Sequence, residues 1–368
     1  MAAAVSIRTE PIQALETART VELFAGPGGW DEGARIAGLD LGIVGAELGS
    51  DACATAIAAG HRRVQANVRS LDPRLCTEAT GLIASPVCPT FSASGLRSGT
   101  TGNDYQWALD CITAFGEGDD EDWASLPDRV VDPRTALVVE TIRWAMLMPN
   151  IHWMVAEQVP AVEYIWEDIA AELYAAGWEY VNVLEVEAWT FGAAARRRRT
   201  FMVANRYTAD GSHFSGFGIR QYLPPSMAKA LGWAPGHQVR TRNNRRPTGG
   251  NLFSADGPSW CLTGKARSWE RDADQLRLTA AEAGLLQGFR PDYPWTGSRT
   301  SQFHQAGDIV SPLVAAAMLS AVNGVPASTF EPLILDHLAQ IYPAAVQPGR
   351  WGSEATGAVG NPGVIRVA

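Results

Sequence analysis

The sequence has few cysteines, no long apolar run and fewer basic than acidic side chains. Its five cysteines are scattered without a Cys-x-x-Cys pair, which argues against a disulfide framework and against a zinc site. No apolar run reaches the roughly 18 residues that a membrane span needs, and residues 1–10 lack the apolar stretch of a secretion signal. We therefore predict a cytoplasmic protein with reduced thiols, no metal site and no membrane contact.

The length and overall composition are typical of a globular protein with one large or two modest domains. The chain has 368 residues, of which 46% are hydrophobic and 19% charged. Its net charge of -9 speaks against a nucleic-acid partner, but residues 196–246 hold eleven Lys or Arg and one acid, a local charge of +10. A basic segment on an acidic body is typical of a protein that contacts phosphates through one domain. A solvated run of charges is the alternative.

Apolar runs of strand length alternate with helical patterns over the first 205 residues. Such alternation predicts an α/β fold, with a doubly wound and mostly parallel sheet. From residue 206 to about residue 301 the alternation stops, which predicts a second, smaller domain. The predicted strands are 20–24, 41–46, 64–68, 152–159, 180–186 and 200–205, and the predicted helices are 30–38, 134–148 and 162–177.

Several polar or reactive residues follow the predicted strands directly. Ligands of doubly wound sheets bind beyond the carboxyl ends of the strands. Gly26, Glu47, Asn67, Cys88 and Glu157 all occupy such ends. The glycine turn lets the backbone approach a ligand, and an acid about twenty residues later can accept both ribose hydroxyls. We expect these residues to line one cleft.

One cysteine stands between two prolines, in the stretch ASPVCPTFS at residues 84–92. The prolines limit the backbone to extended or turn conformations, so Cys88 should leave the end of the preceding strand at a defined angle. This placement indicates a thiol with a chemical role. A buried loop cysteine is the alternative for a lone residue of this type.

Six segments, in this order, resemble the motifs of the DNA cytosine-5 methyltransferases, and the resemblance runs from residue 24 to about residue 322. The segments are FAGPGG (24–29), SPVCPTFS (85–92), EQV (157–159), the arginines of RRR at 197–199, RLTAAEAGLLQGF (277–289) and QAGDIVSP (305–312). The resemblance implies a Rossmann-like class I methyltransferase that uses S-adenosylmethionine. It also implies a target-recognition domain between the paired arginines and the fifth segment, where the basic residues lie.

The resemblance assigns roles to individual residues. Cys88 would be the thiolate that adds to carbon 6 of a flipped-out cytosine in double-stranded DNA, Glu157 the acid beside ring nitrogen 3, and Arg197 and Arg199 the groups that orient the base and the phosphate. The enzyme would act as a monomer, and no restriction partner is identified. The implied cofactor-binding residues are Phe24, Ala25, Gly26, Gly28, Gly29, Glu47, Leu48, Asn67, Val68 and Asp308.

These assignments divide the chain into a catalytic domain at 17–205, a target-recognition domain at 206–301, a helix at 302–323 that completes the catalytic domain, and an uninterpreted tail at 324–368. The loop RTRNNRRPTGG at 240–250 is rich in Asn, Gly and Arg, so it can follow a DNA groove. Its predicted DNA-binding residues are Arg240, Arg242, Arg245 and Arg246.

Some positions depart from the family pattern, and three other functions are alternatives. The departures are Val87, Pro89, Gln158, Ala195 and Asp308, together with Asn67 in place of an acid. A tRNA cytosine-5 methyltransferase has nearly the same motifs but a smaller inserted domain. A nicotinamide dehydrogenase shares the glycine turn and Glu47 but has no use for Cys88. A catalytically weak DNA-binding relative is the third alternative.

Overall fold

The computed structural model describes residues 10–87, 103–118, 123–208, 224–241 and 250–343. Within them, seven strands form one sheet in the order β3-β2-β1-β4-β5-β7-β6. This arrangement confirms the predicted α/β fold with a doubly wound, mostly parallel sheet. The strands are β1 Thr20–Leu23, β2 Ile43–Glu47, β3 Arg63–Gln65, β4 Gly81–Ala84, β5 Trp153–Gln158, β6 Tyr180–Glu187 and β7 Arg198–Asn205.

One strand runs against the others. β7 inserts between β5 and β6 and pairs antiparallel with both, so that Glu157 lies opposite Phe201 and Glu187 opposite Arg198. The chain thereby brings the start of β7, with its arginines, to the edge where β5 ends. The predicted third strand is shorter than expected, because β3 ends at Gln65 and Asn67 caps a 3-10 turn over Val68–Ser70.

Twelve helices lie among the described residues, and several cover the two faces of the sheet. The helix predicted at 134–148 is divided into a 3-10 helix over Pro133–Val139 and α6. The helices are α1 Glu10–Glu16, α2 Gly29–Ile36, α3 Ser50–Ala58, α4 Asn103–Glu117, α5 Leu126–Arg129, α6 Glu140–Leu147, α7 Glu163–Ala175, α8 Met227–Ala230, α9 Ala280–Leu286, α10 Arg299–Asp308, α11 Pro312–Val322 and α12 Ala327–Ile341.

The core has two parts, one on each face of the sheet. β5 contributes alternately to both, with Trp153 and Val155 on the face covered by α2 and α11, and Met154 and Ala156 on the face covered by α4, α6 and α7. All six residues of β5 are buried. The strand that carries Glu157 is therefore rigidly held from both sides.

Helix α11 is the apolar element that anchors the C-terminal part of the chain. All eleven of its residues are buried. It packs closely on α2, since a Cβ atom at Gly33 would lie only 2.4 Å from Ala315 Cβ. The stretch Arg299–Val322 is long and apolar enough to cross a membrane, but 94% of its most apolar window is buried inside the protein. Such burial is typical of helices in a protein core.

The residues after β7 form smaller elements. A three-stranded antiparallel sheet contains β8 Gln238–Arg240, β9 Leu252–Ser254 and β10 Glu270–Arg271. A capping box is present at the start of α9, where Thr279 and Glu282 exchange hydrogen bonds. Part of the tail that the sequence left uninterpreted forms α12, whose Phe330, Ile334 and Leu338 join the core beside α11.

Candidate active site

The glycine turn after β1 has an unusual backbone. Phe24 has a φ of 56°, a left-handed conformation that is costly for a residue with a side chain, and Gly26 has a φ of 54°. A Cβ atom built on Gly26 would meet no described atom within 4 Å. The turn therefore leaves open space in front of Gly26, at the amino end of α2, where a ligand can approach the backbone.

Glu47, the last residue of β2, lies beside this space. One oxygen of its carboxylate accepts a hydrogen bond from Gly26 N at 2.9 Å, and the other accepts one from Gly49 N at 2.6 Å. Leu48 is 66% exposed, although it is apolar. Carboxylate oxygens have further lone pairs for hydroxyl donors, so these groups fit the ribose and base of S-adenosylmethionine. The carboxylate of Glu47 and the open space before Gly26 thus lie side by side.

Asn67 and Val68 are also predicted to bind the cofactor, and they differ in solvent exposure. Asn67 is exposed, and its side-chain oxygen accepts a hydrogen bond from Arg69 N at 3.1 Å. Val68 is buried in the core. Asn67 thus holds its own turn through its oxygen, while its side-chain amide group lies at the surface beside the carboxyl ends of β2 and β3.

A buried ion-pair cluster, which the sequence did not indicate, contacts the glycine turn. The Arg63 side chain is fully buried, contacts Asp31 Oδ2 at 2.5 Å and donates to Gly26 O at 3.3 Å. Glu22 lies 3.6 Å from the same guanidinium, and burial raises the pKa of its carboxyl well above the usual range. Through Arg63 the cluster contacts the carbonyl groups of Ala25 and Gly26, and so holds that side of the turn.

The cysteine loop is held at its root by two hydrogen bonds. Trp30 Nε1 donates to Ser85 Oγ at 3.0 Å, and Gln158 Nε2 donates to Pro86 O. These bonds join the loop to α2 on one side and to the end of β5 on the other. Cys88 itself and the adjoining Pro89 lie outside the described residues. Gln158, which departs from the family pattern, therefore keeps a hydrogen-bonding role towards the loop.

Glu157 and the two arginines lie close together at the end of β5. Glu157 is 4% exposed, and its Oε1 lies 3.1 Å from Arg199 Nε. Burial raises the pKa of the Glu157 carboxyl, although the charges of Arg199 and Arg197 act in the opposite direction. A buried carboxyl with a raised pKa can donate a proton at a higher pH than an exposed one.

Arg197 is the most buried cation of this group. Its Nη1 donates to Gly307 O at 2.7 Å, whereas its Nε has no hydrogen-bond partner among the described residues. Burial lowers the pKa of its guanidinium to about 10. An unpaired buried donor is costly, so this nitrogen indicates a binding position for an acceptor atom of a ligand.

Asp308, which we predict to bind the cofactor, lies at the end of α10 between the two parts of the site. Its charge acts on Glu157 and on Arg197. The residues that follow it pack on the glycine turn, since a Cβ atom at Gly29 would lie 2.4 Å from Val310 O and 2.8 Å from Ile309 Cγ1. The chain at 307–310 thus joins the arginine pair to the glycine turn.

The predicted DNA-binding loop is described only at its start. Arg240 lies on β8 and contacts Asp272 Oδ1 through its Nε at 2.6 Å, with 30% of its side chain exposed. The structure therefore places Arg240 in an ion pair within the small domain. Arg242, Arg245 and Arg246 lie outside the described residues.

Comparison with known proteins identifies the class of the fold. No protein-family model matches the chain. Its fold is similar to that of a protein encoded within an E. coli prophage and assigned to the DNA modification methyltransferases, with a TM-score of 0.57, 18% identity and coverage of 84% of this chain and 99% of that one. DNMT2 of Spodoptera frugiperda gives the same TM-score at 14% identity, covering 83% of this chain and 100% of that one. The chain has the class I methyltransferase fold.

Two sequence relatives are methyltransferases. The chain is 25% identical over 325 residues to the type II methyltransferase M.AplI of Arthrospira platensis, a match that covers 82% of this chain and 85% of the relative. A shorter match of 82 residues, at 34% identity, joins it to the type II methyltransferase M1.HphI of Haemophilus parahaemolyticus and covers 21% and 22% of the two chains. The chain is thus similar over most of its length to a type II methyltransferase, at modest sequence identity.

We expect Glu47→Ala to weaken the binding of S-adenosylmethionine by about 1.5–3 kcal/mol, because hydrogen bonds to a charged group contribute that much. The variant loses the carboxylate oxygens that are predicted to accept from the ribose, and also the bond to Gly26 N. Isothermal titration calorimetry without DNA measures the effect. Asp40→Ala is the matched control, since Asp40 is an exposed acid that precedes β2 at its opposite end. Binding of NADH in place of S-adenosylmethionine would favour a dehydrogenase.

Proposed function

We propose that this protein transfers a methyl group to carbon 5 of a flipped-out cytosine in double-stranded DNA. The observation that carries the proposal is the buried carboxyl of Glu157 beside Arg197 and Arg199, at the strand end to which Gln158 ties the cysteine loop. The printed names of the similar proteins, type II methyltransferase and DNA modification methyltransferase, support DNA as the substrate. We further propose a cytoplasmic enzyme.

S-adenosylmethionine is the proposed cofactor, and when bound it supplies the methyl group. Glu47 would accept hydrogen bonds from its ribose, and Gly26 and Gly28 would allow the backbone to approach it. The exposed apolar side chain of Leu48 would contact the adenine, and Asn67 and Val68 would lie along the same edge. These roles use the open space before the turn and the exposed residues that border it.

In the proposed chemistry, the Cys88 thiolate adds to carbon 6 of the cytosine ring. Carbon 5 is otherwise a poor nucleophile, and this addition makes it enamine-like. Glu157 in its protonated form donates to ring nitrogen 3, which stabilises the negative charge that addition creates. The Nε of Arg197 would bind the carbonyl oxygen of the base, and Arg199 would hold Glu157 in place. Carbon 5 would then bond to the methyl group that the cofactor supplies. Loss of the proton from carbon 5 to a base breaks the bond between carbon 6 and sulfur, which releases the thiolate and restores the aromatic ring.

Nucleoside analysis of plasmid DNA tests this function. Plasmid from cells that express the protein should contain 5-methylcytosine by mass spectrometry, and bisulfite sequencing should locate it within one recurring sequence. Methyl groups on amino nitrogens instead would show that the protein belongs to a different reaction class. Methylation found in tRNA and not in the plasmid would establish the tRNA enzyme that the sequence left as an alternative.

We also propose that residues 206–301 recognise the target and that Arg242, Arg245 and Arg246 contact DNA. Removal of an arginine that binds phosphate should weaken binding on all sequences and lower the salt slope by about 0.9 per contact. Removal of one that reads guanine should cost about 1–3 kcal/mol at a single base position. Arg240→Ala is the matched comparison, because its side chain is engaged by Asp272. Methylation of a randomised duplex library by each variant distinguishes phosphate contact from guanine recognition. If the three loop variants keep the binding and the target preference of the wild type, recognition lies in other residues.

A further inference from the structure

A segment near the end of the chain reaches back to the glycine turn. Tyr293 is 3% exposed, and its hydroxyl donates a hydrogen bond to Pro27 O, the carbonyl between Gly26 and Gly28. Neither the strand pattern nor the motifs of the sequence indicate this contact, because 266 positions separate the two residues.

The hydroxyl of Tyr293 also limits the space behind the turn. A Cβ atom at Gly28 would lie 2.8 Å from Tyr293 Oη and 2.6 Å from His61 Cδ2, and Gly28 has a φ of 109°. The turn is therefore seated against these two side chains, and its position depends on where they are held. His61 is held in turn, since its Nε2 lies 3.2 Å from Glu32 Oε1 on α2.

Tyr293 is fixed by rigid surroundings. Its ring packs edge-on against Phe289 and Trp295, with ring centroids 4.6 Å and 5.0 Å apart. Thr296, which follows Trp295, forms two hydrogen bonds to α3. Its backbone N donates to Thr55 Oγ1 at 2.9 Å, and its Oγ1 donates to Asp51 O at 2.9 Å. The hydroxyl therefore has a defined position relative to β2 and α3, which border the same cleft.

We propose that Tyr293 is a positioning residue for the cofactor turn, and that its hydroxyl fixes the Pro27 carbonyl so that the turn is ordered before the cofactor binds. The proposal rests on the proposed function, in which this turn binds S-adenosylmethionine. A turn that contains three glycines has much conformational freedom, and ordering it on binding reduces affinity. The hydrogen bond from Tyr293 removes that freedom in advance.

Tyr293→Phe tests the role, because it removes the hydroxyl and keeps the ring. Tyr342→Phe is the matched control, since Tyr342 is 2% exposed and its hydroxyl donates to Leu285 O at 2.5 Å. By calorimetry, Tyr293→Phe should bind S-adenosylmethionine about three- to tenfold more weakly, and Tyr342→Phe should bind it like the wild type. In steady state, KM for S-adenosylmethionine should rise in Tyr293→Phe, while kcat and KM for DNA stay unchanged.

Amide hydrogen exchange of residues 25–29, measured without cofactor, gives a second readout. Exchange should become faster in Tyr293→Phe and stay unchanged in Tyr342→Phe. If the wild type binds S-adenosylmethionine and the two variants match each other in affinity and in exchange, the positioning role is overturned. If the wild type itself binds no S-adenosylmethionine, the proposed function fails, and with it the cofactor role of the turn. Thermal unfolding of all three proteins controls for general loss of stability.

Discussion

A Cys88→Ala variant is expected to form no covalent complex with duplex DNA that carries 5-fluorocytosine at the target position. The wild type should form one, because fluorine at carbon 5 cannot leave as the proton does and the thiol therefore stays attached. Methylation of ordinary DNA should fall by about 10⁴-fold or more, as is typical when a covalent nucleophile is removed. Denaturing gel electrophoresis detects the complex, and incorporation of labelled methyl groups measures the rate.

The other cysteines provide the control. Cys53, Cys76 and Cys111 are buried, and burial raises the pKa of Cys53 to about 11 and that of Cys76 to about 12, so these two thiols are poor nucleophiles at neutral pH. Cys261 is exposed and its charge would act on Arg197, which makes it the rival among the thiols that the structure describes. Cys261→Ala should keep the complex. A complex that persists in Cys88→Ala and disappears in Cys261→Ala would transfer the role to Cys261.

Glu157→Gln is expected to lower kcat/KM by about 10²–10⁴-fold, the usual contribution of a general acid. Glutamine can still donate a hydrogen bond to ring nitrogen 3, but it has no proton to transfer. The same change made at Glu163, an exposed acid at the start of α7, should leave kcat/KM unchanged. Comparable activity of the two variants would show that Glu157 only holds Arg199 in place.

The pH profile gives an independent check on the same residue. Burial raises the pKa of Glu157, so its protonated form persists to a higher pH than that of an exposed carboxyl. Because the proposed role needs the protonated form, kcat/KM of the wild type should fall as pH rises through this raised pKa. The residual activity of Glu157→Gln should lack that fall. A decline of equal size in the variant would assign the titration to another group.

The fold could be predicted because parallel α/β sheets have strong local signals. The apolar runs that became β1, β2 and β5 are buried on both faces, and the glycine turn and the capping box at Thr279 depend on neighbouring residues only. The direction of β7 was not predicted, since the sequence of a strand does not specify the partner with which it pairs. The position of α12 was not predicted for the same reason. The apolar face of a helix does not specify the elements on which it packs, which here are α2 and α11.

The candidate site also contains residues that the sequence indicated and residues that it did not. The sequence placed Glu47 and Glu157 at the ends of strands, and Arg197 and Arg199 just before the strand predicted at 200–205. The structure brings Glu157 and the two arginines together at one end of β5 and β7. The sequence did not indicate Trp30, Arg63 or Tyr293, which hold the cysteine loop and the glycine turn. Each of these acts on backbone or side-chain atoms of a distant segment, and no spacing along the chain marks such a contact.

The order of the apolar runs and motifs along the chain thus determined the fold class and the chemical groups available for the proposed reaction. The tertiary structure determined the protonation and the hydrogen-bonding capacity of those groups. The pKa of Glu157 depends on burial between β4 and β7 and on the charges of Arg197 and Arg199. Among the described residues, Gly307 of α10 accepts from Nη1 of Arg197, and its Nε has no partner. Protonation and hydrogen-bonding capacity depend on solvent exclusion and on neighbouring charges, and these arise only when remote segments pack together.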